Sequence, residues 1–161
     1  MNEALFSSVR TGWCTPSWIL TLVEKVGPIG LDPCSNMESG VRATERWEKS
    51  DDGLSREWGG HGLVYVNPPY GREIGPWMVK CRDEGRRGVE IIALVPSRTD
   101  TRWFQDCALT ADQILLYRGR LVFEGAPNAA PFPSAVLYWG RDVNRFCDAF
   151  AGMGAFFQVS R

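Results

Sequence analysis

Four consecutive residues, Leu63-Val64-Tyr65-Val66, carry no charge and stop abruptly at Asn67-Pro68-Pro69-Tyr70-Gly71. A strand with one face in water alternates polar and apolar side chains, so an unbroken run marks a strand covered on both faces. A second apolar run extends from Val89 to Val95 and is stopped by Pro96, and a third spans Ala135 to Trp139. Between and around them lie helical patterns. Ile19, Leu22, Val23 and Val26 share one helix face, with Thr15 as the expected N-cap and Pro16 at the first helical position. Gly75-Pro76 opens a helix to about Arg86. Thr99 or Asp100 caps one carrying Trp103, Phe104, Cys107 and Ala108, and Val143, Phe146, Cys147 and Phe150 repeat the spacing. Ile29 and Leu31 predict a very short strand, and Ala155–Val159 another. Ile114–Tyr117 and Leu121–Phe123 predict a hairpin around Arg118-Gly119-Arg120. Residues 36–60 read as loop, with a short helix around Arg42–Glu48. The expected fold is α/β: a mostly parallel central sheet with an antiparallel edge and flanking helices, in one domain over 1–161.

Ligands in such sheets bind beyond the carboxyl ends of the strands. Asp32-Pro33-Cys34-Ser35 and Asn67-Pro68-Pro69-Tyr70 both fall there, so they are expected to share one cleft. Each proline fixes its own φ, lacks an N–H, and drives the preceding residue into extended conformation. The Asn67–Tyr70 loop is therefore stiff, presenting a side-chain amide oxygen and a backbone carbonyl with an aromatic face beside them. Two fixed acceptors suit a group with two N–H donors, an exocyclic amine or a carboxamide. Accepting both hydrogens stabilises positive charge developing on that nitrogen, and the ring can stack a base turned out of a helix.

Composition excludes several other chemistries. The 161 residues carry 18 basic and 19 acidic side chains, a net charge of −1, so nucleic acid cannot be held by bulk charge alone. Residues 1–60 hold 6 basic and 9 acidic groups and residues 61–161 hold 12 and 10, a bias compatible with a phosphate-facing side. Five cysteines without a C-x-x-C pair argue against a disulfide framework or a zinc site and for a reducing compartment. The lone histidine, His61, sits in a Gly-Gly-His-Gly loop without an expected catalytic duty, which removes two-histidine mechanisms. No apolar run approaches a membrane span, and the polar amino terminus does not read as a leader. No metal and no membrane are expected, and the protein is expected in the cytoplasm.

Several short motifs occur together and in order: Thr15-Pro16, Leu31-Asp32-Pro33-Cys34-Ser35, Asp52-Gly53-Leu54 with Trp58, and Val66-Asn67-Pro68-Pro69-Tyr70. Ile74-Gly75-Pro76-Trp77, Pro96 through Trp103, Gly119 through Phe123, and Pro131 through Ala135 follow. Over roughly Trp13 to Trp139 the chain resembles the phage-type DNA N6-adenine methyltransferase (Dam) family. The resemblance implies a reduced Rossmann-like class I fold and transfer of a methyl group from S-adenosylmethionine to a flipped adenine in DNA. It implies that Asn67 and the Pro68 carbonyl hold the N6 hydrogens, that Pro69 stiffens the loop and that Tyr70 stacks on the base. Asp32, Pro33, Cys34 and Ser35, with Thr15, Pro16 and Asn67, would bind the cofactor. The glycine-rich loop of many methyltransferases is absent, and residues 36–66 are too few for two full β-α units. Part of the adenosine pocket must be loop-built, with Asp52 the expected acid and Asp51 and Glu38 behind it. No separate target-recognition domain is expected. Arg98, Arg102, Arg118 and Arg120 are the expected DNA contacts. The protein is expected to act as a monomer or weak homodimer, in the bacterial host cytoplasm if phage-encoded. Two alternatives remain: methylation of another amine or carboxamide, in an RNA base or a protein Gln, and a non-catalytic DNA-binding relic of the fold. Trp18, Trp47 and Trp139 are expected in packing, while Trp77 and Trp103 divide between packing and substrate contact. Cys34 reads as a small apolar residue rather than a nucleophile.

Overall fold

A computed structural model describes residues 13–160. The stretch before Trp13, read above as too polar for a leader, lies outside the described residues. Seven strands form one sheet: β1 (Ile29–Asp32), β2 (Glu45–Arg46), β3 (Leu63–Val66), β4 (Ile91–Pro96), β5 (Gln113–Tyr117), β6 (Ser134–Trp139) and β7 (Gly154–Phe157), in the order β2-β1-β3-β4-β6-β5-β7. Four helices accompany it: α1 (Ser17–Val26), α2 (Ile74–Arg86), α3 (Arg102–Asp106) and α4 (Val143–Ala149).

Every residue of β3, β4 and β6 is buried, as their unbroken apolar runs require. One face of the sheet packs Val64, Val66, Ala93 and Leu137 against Ile74, Trp77 and Met78 of α2 and Phe104 of α3. The other packs Tyr65, Ile92, Leu94 and Tyr138 against Ile19 and Val23 of α1 and Phe146 of α4. The sheet is mixed rather than mostly parallel. Pairs β1–β2, β1–β3 and β3–β4 are parallel, while β4–β6, β5–β6 and β5–β7 are antiparallel. A continuous apolar run reports burial on two faces and carries no information about direction, which is why the antiparallel share exceeds the edge expected.

Four further expectations are corrected. Leu121–Phe123 forms no strand; β5 instead pairs with β6 and β7, and residues 118–133 cross to β6 without helix or strand. Leu121 and Phe123 are buried to either side of exposed Val122, an alternation that mimics a strand. Their carbonyls accept from elsewhere, Leu121 from the Ala130 N–H (2.7 Å) and Phe123 from the Ala126 N–H (3.0 Å). Residues 42–48 hold no helix; they contain β2, followed by a 3-10 turn at Lys49–Asp51. Thr15 does not cap α1: Pro16 occupies the N-cap position, and the Thr15 hydroxyl is engaged in the cleft. At α3 the cap is Thr101, whose side chain accepts from the Phe104 N–H, rather than Thr99 or Asp100.

Candidate active site

The three parallel pairings bring the ends of β1 and β3 side by side, and a cavity of about 630 Å³ opens there. Thr15, the whole of Asp32–Ser35, Asp52 and the whole of Asn67–Tyr70 line it, together with Trp77. The two loops set apart in the sequence therefore share one cleft. Pro16, expected at the cofactor, does not line it, nor do Asp51, Glu38, Arg98, Arg102, Arg118, Arg120 and His61.

Asn67 is held by its amide nitrogen. Nδ2 donates to the Trp13 carbonyl (2.5 Å) and to Thr15 Oγ1 (3.1 Å). Thr15 Oγ1 in turn lies 2.6 Å from the hydroxyl of Tyr65, a fully buried residue of β3. Both amide hydrogens are consumed, so the orientation of the amide is set by its partners. Oδ1 is left buried and without a hydrogen-bond partner among the described residues. Leaving such an acceptor unmet costs about 1–3 kcal/mol, a cost that an incoming N–H donor would remove. Tyr65 was not singled out from the sequence, because a tyrosine in an apolar strand looks like packing.

The neighbouring loop is tied to Asn67 through Cys34. Its thiol donates to the Asn67 carbonyl (3.3 Å), and its N–H donates to Asp32 Oδ1 (3.2 Å). Burial, then the charge of Asp32, pushes the Cys34 thiol well above its ordinary range, so no thiolate is available for attack. Asp32 is itself 3% exposed. Burial pushes its carboxyl up to about 6, against the Cys34 N–H, the Ser35 hydroxyl, Arg46 and the Ser39 hydroxyl, which pull it down. An acid so placed recovers full ionisation when a cation arrives beside it.

Arg46, on the two-residue strand β2, was missed by sequence reading. Its Nε donates to Ser35 Oγ (3.0 Å), and Nη2 donates to the carbonyls of Asn36 (3.0 Å) and Ser39 (3.2 Å). One guanidinium thus clasps the loop that follows β1. Backbone bonds extend the same seam, Trp47 N–H to the Asp32 carbonyl and Ser35 N–H to the Trp47 carbonyl, each at 2.9 Å. Glu48 follows directly and lines the cavity, so two acids, Glu48 and Asp52, face it from this side. Asp51 is turned away: its Oδ2 accepts from the Glu48 N–H (2.8 Å), and Oδ1 lies 3.5 Å from Arg56.

The Asp52–Gly53 turn is pressed against the first loop. Asp52 has φ 51°, and a Cβ on Gly53 would stand 2.2 Å from the Pro33 carbonyl oxygen. Only glycine permits that approach. Fully buried Trp58 anchors the turn by donating Nε1–H to the Gly53 carbonyl (2.9 Å) and stacks on Trp77 at 6.3 Å. Trp77 therefore both packs and lines the cleft, whereas Trp103 is half-buried against Phe104. Trp47 and Trp139 are buried, and Trp18 packs at an edge, against Tyr117, while remaining 42% exposed.

The opposite wall is aromatic. Half-buried Tyr70 donates its hydroxyl to the Leu94 carbonyl (3.2 Å) and meets Phe123 and Phe132 edge-on at 6.1 and 5.5 Å. Trp13 meets the same two rings at 5.2 and 5.5 Å. The cleft is thus lined on one side by acids, hydroxyls and backbone groups and on another by the rings of Trp13 and Tyr70, which Phe123 and Phe132 contact without themselves lining the cavity.

The sequence model of the DNA N-6-adenine-methyltransferase (Dam) family matches residues 3–135. The chain belongs to that family. Over 109 residues it is 28% identical to the DNA N-6-adenine-methyltransferase of Escherichia phage T1, a stretch covering 67% of this chain and 45% of the phage protein. The matched stretch thus spans less than half of that relative. The Dam-family match takes in the whole lining of the cleft and ends at the second residue of β6, leaving α4 and β7 outside it. No group of three or more His, Cys, Asp or Glu among the described residues is arranged to hold a metal ion. No helix among them is long and apolar enough to cross a membrane.

Proposed function

We propose that this protein transfers a methyl group from S-adenosylmethionine to the N6 amine of adenine in DNA, on a reduced Rossmann-like scaffold. The observation that carries the reading is Asn67 Oδ1, an acceptor buried at the cleft, locked in orientation and without a partner among the described residues.

The residues present fit the cofactor. The cavity is of the size that takes a molecule of this class. Asp32 offers a carboxylate for the methionine ammonium, with the Thr15 hydroxyl beside it and Pro16 shaping the turn behind. Glu48 or Asp52, both lining the cavity, would take the ribose hydroxyls, and Trp77 with Leu54 would pack on the adenine. The cofactor, when bound, supplies a methyl group on a positively charged sulfur.

The chain's own residues do the rest. Asn67 Oδ1 accepts one N6 hydrogen, and the carbonyl of Pro68 accepts the other. As the amine attacks, positive charge grows on nitrogen, and these prepositioned dipoles stabilise it without reorganising. Pro68 and Pro69 remove the freedom that would blur this geometry. Tyr70 stacks the base, so amine and methyl donor meet in one enclosed geometry. The thiol of Cys34 links the two loops rather than acting as a nucleophile. Arg98, Arg102, Arg118 and Arg120, outside the cavity, contact the DNA.

The deciding experiment incubates the protein with methyl-labelled cofactor and, separately, DNA, RNA and protein. Labelled DNA is then digested to nucleosides and the modified base identified with its neighbours. N6-methyladenine is the expected product. Label confined to RNA or protein would refute the DNA reading, and failure to bind the cofactor at all would point to the non-catalytic relic.

A further inference from the structure

One patch beside the cleft is unused by the cofactor pocket and by the catalytic loop. The start of α1 lies at the cleft, because Thr15, two residues before it, binds Asn67. β5 runs antiparallel to β6, and β6 antiparallel to β4, so β5 ends at the same sheet edge as β4. Trp18 of α1 leans on Tyr117, the last residue of β5, with ring centroids 6.0 Å apart. That contact orients the indole while leaving it 42% exposed.

Immediately beyond Tyr117 come Arg118, Gly119 and Arg120, all exposed, then Val122, 53% exposed. Neither guanidinium has an ion pair or hydrogen bond among the described residues, and Glu124 is the one acid on the segment. The segment is seated firmly. Leu121 and Phe123 are 1% exposed, and the Arg118 N–H donates to the Met153 carbonyl (2.9 Å). Phe123 also meets the rings of Trp13 and Tyr70, so the segment continues the aromatic wall of the cleft.

An exposed indole held against Tyr117, with two unneutralised guanidinium groups following directly along the chain, fits a partner that offers flat π-faces at regular spacing and negative charge beside them. Nucleic acid has both. Apolar side chains inserted between base steps also stabilise distorted duplexes. Resting on the DNA reading above, we propose that Trp18, with Val122, is the wedge that occupies the base stack beside the extruded adenine, while Arg118 and Arg120 hold the flanking phosphates. The role differs from that of Tyr70: the cleft ring receives the base that leaves, and Trp18 supports the stack it leaves behind.

The test uses duplexes containing the methylated sequence identified as above, with the target adenine either paired to thymine or set opposite an abasic site. An unpaired target needs no help to leave the helix. Trp18→Ala is expected to lower kcat/KM at least tenfold on the paired duplex and less than twofold on the abasic one. Trp18→Phe should restore most of the loss, and cofactor affinity should match the parent, showing that the variants are folded. A 2-aminopurine at the target should brighten on binding the parent protein and much less with Trp18→Ala. Equal losses on both duplexes, or no loss on either, would overturn the wedge and leave the methyltransferase reading standing. No DNA methylation by the parent protein would overturn both.

Discussion

The two walls of the cleft are built by different forces. On the polar wall, Asp32–Ser35 is held by hydrogen bonds to Arg46, Trp47 and Asn67. On the aromatic wall, Trp13, Tyr70, Phe123 and Phe132 hold one another by ring packing, with one hydroxyl bond to Leu94. The first depends on charge and proton occupancy; the second depends on volume and is nearly indifferent to pH. On the proposed function, a zwitterionic cofactor tail and a flat base would call for both kinds of surface, and Asn67 is fastened to residues of both, Trp13 and Thr15 through its amide and Cys34 through its carbonyl.

The largest expected effect breaks the seam. Asn67→Ala should lower methyl transfer by about 10²–10³-fold, the range for losing one preorganised dipole at a reacting centre. Cofactor affinity, measured by calorimetry, should change only a few-fold. Parent-like turnover would show that the amide oxygen has no part in the chemistry.

The next separates the walls by charge. Asp32→Asn should weaken cofactor binding roughly 10–100-fold, the scale of one charge-assisted hydrogen bond. In the parent, affinity should fall as pH drops through about 6, where the carboxyl gains a proton; in the Asn variant that limb should vanish. Stability should move oppositely. The folded carboxyl binds its proton more tightly than the unfolded one, so it penalises the empty fold fully above about pH 6, and the penalty eases as pH falls from there towards ~4. Asp32→Asn should therefore raise the thermal midpoint at pH 8, by roughly 2–3 kcal/mol of stability. A lowered midpoint at that pH would contradict the linkage.

A smaller effect tests the clasp. Arg46→Ala should raise the cofactor KM about three- to tenfold, on the scale of its loop bonds, leaving kcat and DNA affinity near parent values. Arg46→Lys, which keeps the charge but not the fork, should recover only part. An unchanged KM would mean that the seam of backbone bonds suffices. The smallest effect belongs to the aromatic wall. Tyr70→Phe, losing only the bond to Leu94, should cost about 1 kcal/mol of stability or less and keep turnover within about twofold of the parent. A large pH-dependent loss would place a proton-transfer role on a residue read here as a stacking surface.

What was legible in the sequence follows a physical pattern. Buried strands announce themselves by continuous apolar residues, and the Asn67–Tyr70 loop by two prolines that can sit only outside a ladder. The cleft was therefore readable from Asp32–Ser35 and Asn67–Tyr70. β2 was not, because Glu45 and Arg46 are both exposed and an edge strand of two residues has no apolar period. Arg46 was missed with it, since its role lies in carbonyls brought near by folding. Leu121–Phe123 misled because alternation records which side chains are buried and not which backbone is the partner.

The acceptor that fastens Asn67 most closely is the Trp13 carbonyl, a peptide oxygen. Truncating side chains one at a time along the chain would therefore overlook it, since every such replacement leaves the amide linkage intact. Weakening that oxygen chemically, by an ester in place of the 13–14 peptide bond, would reveal a dependence that conventional mutagenesis is built to miss.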